Sequence, residues 1–252
     1  MLPVDDELPD KKSCIQCGKL IQQNRDFCNQ CGARQSVQNS TKPVNSWGLL
    51  QQAGLFFGID IVVCALAQFV DALKTFSFFL FSDIIMAISA VLFFCINWKE
   101  NKILLTWHNF SWQKLAAYGA IAIAGQVLVH YSVDWLNLVV YSKDEDYVQH
   151  LNGSFLGAFF VVFFTAVMPA IFEELGYRGY LLQTLLKIAD KEQAIYITSF
   201  LFAFIHMSFI SLFWLIPFAL FLGFVRIKEN TLWYGVFFHF CFNLTACIFQ
   251  LL

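Results

Sequence analysis

The sequence predicts an all-α polytopic membrane protein of about seven transmembrane helices with a small cysteine-bearing head at its N-terminus. Three observations predict it. The chain is 58% hydrophobic and only 13% charged, against about 25% charged residues in soluble domains. It carries 30 Phe in 252 residues, more large apolar surface than a soluble core of this size could hide. Its polar and charged residues also crowd before Trp47, after which long apolar runs alternate with short charged stretches.

The head spans residues 1–34, and a polar linker follows at 35–47. No signal peptide is read there, because Asp5, Asp6, Glu7 and Asp10 stand where a basic start and an apolar stretch would be needed. The head is therefore expected to stay cytoplasmic. It contains Cys14-Ile15-Gln16-Cys17 and Cys28-Asn29-Gln30-Cys31. Each C-x-x-C is a tight turn that sets two thiolates on one side, and two facing turns give tetrahedral sulfur coordination suited to Zn²⁺. Gly18 and Gly32 follow the second Cys of each pair, where such a knuckle needs positive φ. A pair of disulfides is the alternative, and reduced cytoplasmic thiols argue against it. With so few residues and no real core, the head would take most of its folding free energy from zinc. It resembles the short zinc-ribbon modules that open many prokaryotic membrane proteins, which are more often structural or interaction units than catalysts. Cys64, Cys95, Cys241 and Cys247 are scattered in apolar runs and read as small buried hydrophobes.

The membrane domain is 48–252, with seven apolar segments at about 49–70, 76–96, 115–133, 154–172, 194–209, 212–225 and 232–251. Most approach the roughly 20 residues a crossing needs. The fifth and sixth are short and are expected to form a tight hairpin. Lys and Arg sit in the head, at Lys99, Lys102 and Lys114, at Lys187 and Lys191, and at Arg226 and Lys228. All of these fall on one side if the N-terminus is cytoplasmic.

Ionisable groups inside apolar spans are costly and mark functional sites. Glu173, Glu174, Arg178, His206 and His239 are such groups, with Asn243 beside them. Glu174 and Arg178 lie about 40° apart on a helix and can pair. Glu173 points about 100° away and is left for another role. Pro169 is expected to bend or open the helix ahead of them. A lone His206 in an apolar run is more often a packing residue than a catalyst. His239 and Asn243, four apart, share one face of an apolar helix and must face the bundle interior or water. The intervals Glu173–His206 and His206–His239 are equal, so the chain can leave and return to one membrane depth. These residues alone allow metal coordination, proton relay or hydrolysis. Asp60 and Asp83, in the first two spans, have no role assigned by the sequence.

The ordered set E-E-x-x-x-R (Glu173, Glu174, Arg178), F-x-x-x-H (Phe202, His206) and H-x-x-x-N (His239, Asn243) resembles the CPBP family of intramembrane proteases. That family includes the type II CAAX prenyl endopeptidases and bacteriocin-processing or self-immunity proteins. Pro169 and Gly179 also fit, and Tyr177 stands where many relatives have Phe. The resemblance covers about 155–252. It implies an intramembrane endopeptidase that acts on membrane-associated peptides or proteins. In that reading Glu173 is general base, His206 holds the water, His239 and Asn243 donate to the oxyanion, and Glu174 and Arg178 brace the helix. Two His and a Glu also resemble a zinc-hydrolase ligand set. Likeness to the archaeal CAAX endopeptidase favours a metal-independent, glutamate-dependent site, leaving zinc to Cys14, Cys17, Cys28 and Cys31. The rival reading is a non-proteolytic membrane scaffold or bacteriocin self-immunity protein with a zinc-ribbon interaction module. A plain ribbon-bearing anchor would not need the buried charges. The expected location is a prokaryotic plasma membrane. The expected partners are lipid, a peptide or protein substrate and a protein for the ribbon; nothing points to nucleic acid.

Overall fold

The computed structural model describes residues 11–22, 25, 27–28, 30–33, 35, 46–107, 110–140 and 155–251. Most of the expected linker and residues 141–154 lie outside the described residues.

Two short strands open the described chain, β1 (Lys11–Ser13) and β2 (Leu20–Gln22), paired antiparallel with Lys12 opposite Ile21. Seven long helical stretches follow. They are α1 (Ser46–Phe69), α2 (Phe76–Ile96), α3 (Trp112–Val140), α4 (residues 155–185), α5 (Lys191–Phe204), α6 (Leu212–Glu229) and α7 (Trp233–Leu251). Each of the seven expected apolar segments falls on one of them. Among the described residues, four stretches are long and apolar enough to cross a membrane: Ser46–Phe69, Phe76–Ile96, Trp112–Leu136 and Phe159–Leu185. Trp233–Phe249 is a shorter apolar helix.

The bundle interior differs from a soluble core. Phe69, Phe76, Phe81, Ile88 and Leu92 on α1 and α2 are exposed, as lipid-facing side chains would be. Lipid is as apolar as Leu, so close packing holds such helices together. Gly176 and Gly179 on α4 provide it. A Cβ on Gly176 would lie 2.7 Å from Phe56 Cζ, and one on Gly179 would lie 2.8 Å from Phe94. Phe56 fills the gap, with Tyr177 and Tyr180 edge-on at 5.5 and 5.4 Å.

α4 is not a regular helix. Phe163–Val167 and Glu174–Leu181 are π-helical, separated by Met168–Glu173. Pro169 sits in that short α segment, and its missing N–H is a known cause of such irregularity. Such bulges re-aim side chains and are frequent at functional sites.

α5 ends at Phe204, earlier than the sequence expectation of about 209. Met207 has φ 52°, a left-handed conformation that a non-glycine residue adopts only in a turn. At 14 residues, α5 is about 21 Å long and falls short of a full crossing. The expected hairpin of α5 and α6 is therefore present, turning at residues 205–211.

Ion pairs gather the positive loops at one end of the bundle. Lys114 meets Glu229 at 2.5 Å, and Lys187 meets Glu100 at 2.6 Å. The head lies at this same end. A Cβ on Gly32 would stand 3.3 Å from Ile227 Cδ1 and 3.5 Å from Lys191 Cδ, and Phe27 packs against the main core.

Candidate active site

α4 carries the two glutamates in different surroundings. Glu174 is 1% exposed, and its Oε1 accepts from Arg178 Nη1 at 2.9 Å. Arg178 is also 1% exposed; its Nη2 donates to Ala219 O at 3.2 Å, and its guanidinium lies 4.3 Å from the centre of the Phe202 ring. The guanidinium is thus enclosed by a carboxylate, a carbonyl and an aromatic face. Gly235 on α7 lets Glu174 come close, since a Cβ there would be 3.2 Å from Glu174 Oε2. Glu173, with 18% of its side chain exposed, takes no share of Arg178 and faces a cavity.

His239 on α7 joins the two glutamates. Its Nδ1 lies 3.2 Å from Glu174 Oε1. A carboxylate only accepts, so Nδ1 carries the hydrogen. Its Nε2 is then turned to Glu173 Oε2, 3.8 Å away. His206, just past the end of α5, places Nδ1 3.0 Å from Phe202 O. A carbonyl also only accepts, which leaves Nε2 of His206 bare. Asn243, one turn beyond His239, donates from Nδ2 to Thr165 O at 3.1 Å. Pro169 has no N–H to offer that carbonyl.

Glu173, His206, His239 and Asn243 line one cavity of about 450 Å³, walled by Phe76, Phe79, Phe160, Phe164, Phe218 and Phe242 among others. Its size and apolar walls suit an extended peptide with apolar side chains. The sequence had singled out all four of these polar residues. It missed the backbone acceptors Thr165 and Ala219 and the role of Gly235, since a main-chain oxygen or a missing Cβ leaves no mark on residue type. Asp60 also escaped: its Oδ2 accepts from Tyr177 OH at 3.0 Å.

The head brings Cys14, Cys17, Cys28 and Cys31 together. Their sulfur atoms all lie within 4.8 Å of one another. Cys14 and Cys31 are 3.5 Å apart, and Cys17 and Cys28 are 3.6 Å apart. Thiolates about 2.3 Å from a tetrahedral zinc stand about 3.8 Å apart, so the set could hold that ion. Gly18 and Gly32 have φ 70° and 71°, and their N–H groups donate to Cys14 O and Cys28 O. Burial acts to raise the Cys14 thiol, but the N–H groups of Cys17 and Gln16 and the Gln35 amide outweigh it and bring it down to about 6. Burial pushes the Cys28 thiol up, and the Cys31 thiol up to about 12. Among the described residues, these four cysteines are the one set of three or more candidate metal ligands so closely grouped. Of the other four cysteines, Cys247 is buried but Cys95 is exposed, so the reading of all four as small buried hydrophobes does not extend to Cys95.

Residues 155–245 match the family described as Type II CAAX prenyl endopeptidase Rce1-like. The matched segment contains Glu173, Glu174, Arg178, His206, His239 and Asn243, so the resemblance drawn from the three motifs holds over the part of the chain that carries the cavity. The head and the first three helices lie outside the match. No curated protein and no solved structure matches the chain.

Proposed function

We propose that this chain is an intramembrane endopeptidase in which Glu173 activates a water against a peptide carbonyl in the 450 Å³ cavity. The observation that carries the reading is the division of labour between adjacent glutamates. Arg178 pairs with Glu174, which leaves Glu173 facing the cavity with no arginine partner and with His239 Nε2 3.8 Å away. A carboxylate so placed can take a proton from water.

The remaining groups have complementary tasks. The bare Nε2 of His206 accepts one hydrogen of the water while Glu173 takes the other. The Asn243 amide has a second hydrogen beyond the one given to Thr165, and it donates to the oxyanion. His239 donates from Nε2 when it is imidazolium, with Glu174 as counter-ion. The water oxygen bonds to the carbonyl carbon, the C–N bond breaks, and Glu173 returns its proton to the leaving nitrogen. Glu174 and Arg178 hold α4 in register.

The same geometry favours a glutamate mechanism over a catalytic metal. Glu173 and His239 stand 3.8 Å apart at Oε2 and Nε2, and His206 does not join them in a close ligand set. Zinc is assigned to the cysteines of the head instead, as a structural ion that folds a ribbon. The clustering of Lys114, Lys187 and Lys191 at the ribbon end supports a cytoplasmic head. The substrate class is a membrane-associated peptide or protein.

The test is cleavage of a peptide library by purified protein, with Glu173→Ala and Glu173→Gln at matched folding, with and without a chelator. Cleavage that requires Glu173 and survives metal stripping is the expected result. Loss on chelation with recovery in Zn²⁺ would move Glu173, His206 and His239 into ligand roles.

A further inference from the structure

A second, smaller chamber adjoins the catalytic cavity between α1, α2 and α4. It has a volume of about 30 Å³ and is lined by Asp60, Asp83, Glu173 and Tyr177, with Ala87 and Pro169 in its wall. Asp83, Pro169 and Glu173 also line the large cavity, so these residues border both spaces.

Asp60 is the unexplained group. It is 2% exposed in the middle of an apolar helix. Its Oδ2 accepts from Tyr177, but its Oδ1 is buried without a hydrogen-bond partner. A buried acceptor left unpaired costs about 1–3 kcal/mol and more when charged, so native structures normally fill such sites. The chamber offers three carboxylates, which accept when ionised, and its one hydroxyl donor is already spent on Asp60. Whatever occupies it must be small and must either donate hydrogens or carry positive charge. A water needs about 10–15 Å³ by the same measure and two to four polar partners, and this chamber meets both conditions for one or two waters.

We infer that Asp60, Asp83 and Glu173 hold a reserve water that supplies the hydrolytic step. The inference rests on Glu173 as general base. Hydrolysis consumes one water per bond, and the surrounding lipid is dry. A water donating to Asp60 Oδ1 and Glu173 is already beside the base when the nucleophile has been used. It moves past Glu173 into the large cavity, gives one hydrogen to Glu173 and bonds to the next carbonyl carbon. That hydrogen leaves on the amine, so the chamber needs no other reactant. Asp60 is a positioning residue in this scheme, since it touches water and not substrate.

The experiment uses the full chain in nanodiscs with a quenched fluorescent peptide that the wild type cleaves. Ala87→Leu fills the chamber and leaves every carboxylate in place; Asp60→Asn keeps the shape and weakens the hold on water. Both are expected to lower kcat about tenfold with KM within about twofold, the pattern of a lost step after binding. Infrared difference spectra in H2(18)O add a readout independent of turnover. An isotope-sensitive band from a buried water is expected in wild type and in Glu173→Gln, and its absence is expected in Ala87→Leu. Wild-type kcat in Ala87→Leu and Asp60→Asn, beside a dead Glu173→Gln, overturns the supply role. The lack of any such band in wild type overturns the site itself, as does saturable activation by Na⁺, which would make the chamber a cation site. Cleavage that persists in Glu173→Gln removes the general-base reading and leaves the water band to stand or fall alone.

Discussion

Asn243 and Thr165 are joined by a 3.1 Å hydrogen bond from the Asn243 amide to the carbonyl that Pro169 leaves without its usual helical donor. The bond ties α7 to α4 at the point where α4 turns π-helical. A buried carbonyl left unpaired there would cost about 1–3 kcal/mol. Asn243 therefore has a structural duty as well as the catalytic one proposed. Asn243→Ala should cost about 1–2 kcal/mol of stability besides lowering kcat. Pro169→Ala restores an N–H near Thr165, so the stability cost of Asn243→Ala should shrink in that background. A double-mutant cycle by thermal unfolding in detergent measures the coupling. Strictly additive effects would show that Pro169 does not create the demand that Asn243 meets.

The Glu174–Arg178 pair should behave as a buried ion pair does. Both side chains are 1% exposed. Arg178→Ala strands a buried carboxylate and should cost about 3–5 kcal/mol, enough to compromise folding. Arg178→Met with Glu174→Gln removes both charges and should be milder than Arg178→Ala alone. Chemical denaturation monitored by Trp fluorescence ranks the three proteins, and equal stability of all three would refute a paired role. Glu173→Gln, in contrast, should leave stability within about 1 kcal/mol while abolishing cleavage, because Glu173 has no arginine partner and stands 3.8 Å from His239, beyond hydrogen-bond reach.

Much of this arrangement was legible in the residues, and the parts that were not share a physical cause. Apolar run length located the seven long helical stretches among the described residues, since lipid imposes composition on every residue that touches it. The i,i+4 spacing located the Glu174–Arg178 pair, because four residues nearly complete a turn. Asp60 was visible as an anomaly but not as a partner of Tyr177, since the two are 117 positions apart. The early end of α5 at Phe204 was hidden for a different reason. Its stop is a left-handed Met207 and not the glycine or proline that would announce it. Nor did composition mark the π-helical turns of α4, which require an irregular hydrogen-bond ladder and are compatible with ordinary residues.

Zinc retention by the head should depend on pH with a definite sign. Ligand sulfur must be thiolate, so protons compete with the metal. Burial raises the Cys28 and Cys31 thiols, so these two resist deprotonation, whereas Cys14 at about 6 stays thiolate until more acid conditions. Acidification therefore weakens zinc binding, and alkaline conditions strengthen it. Release into a chromogenic chelator, followed over a pH series, should speed as pH falls. A release rate flat across the series would argue against thiolate coordination, and Cys17→Ser should release the metal faster at every pH.

The head also rests on the end of the α5–α6 hairpin, the hairpin whose turn presents His206. Gly32 stands against Ile227 and Lys191, next to Cys31, and Ile227 is two residues along α6 from the Glu229 that pairs with Lys114. Contact of this kind couples the folding of the ribbon to the packing of α6, and coupling acts equally in both directions. Ile227→Ser keeps all four cysteines and removes the apolar surface under Gly32. If the contact is worth about 1 kcal/mol, zinc should dissociate about fivefold faster from this variant. By the same linkage, stripping zinc from wild type should raise hydrogen exchange at residues 225–229 and leave the middle of α1 unchanged. Wild-type zinc release from Ile227→Ser would mean that the head touches the bundle without drawing stability from it.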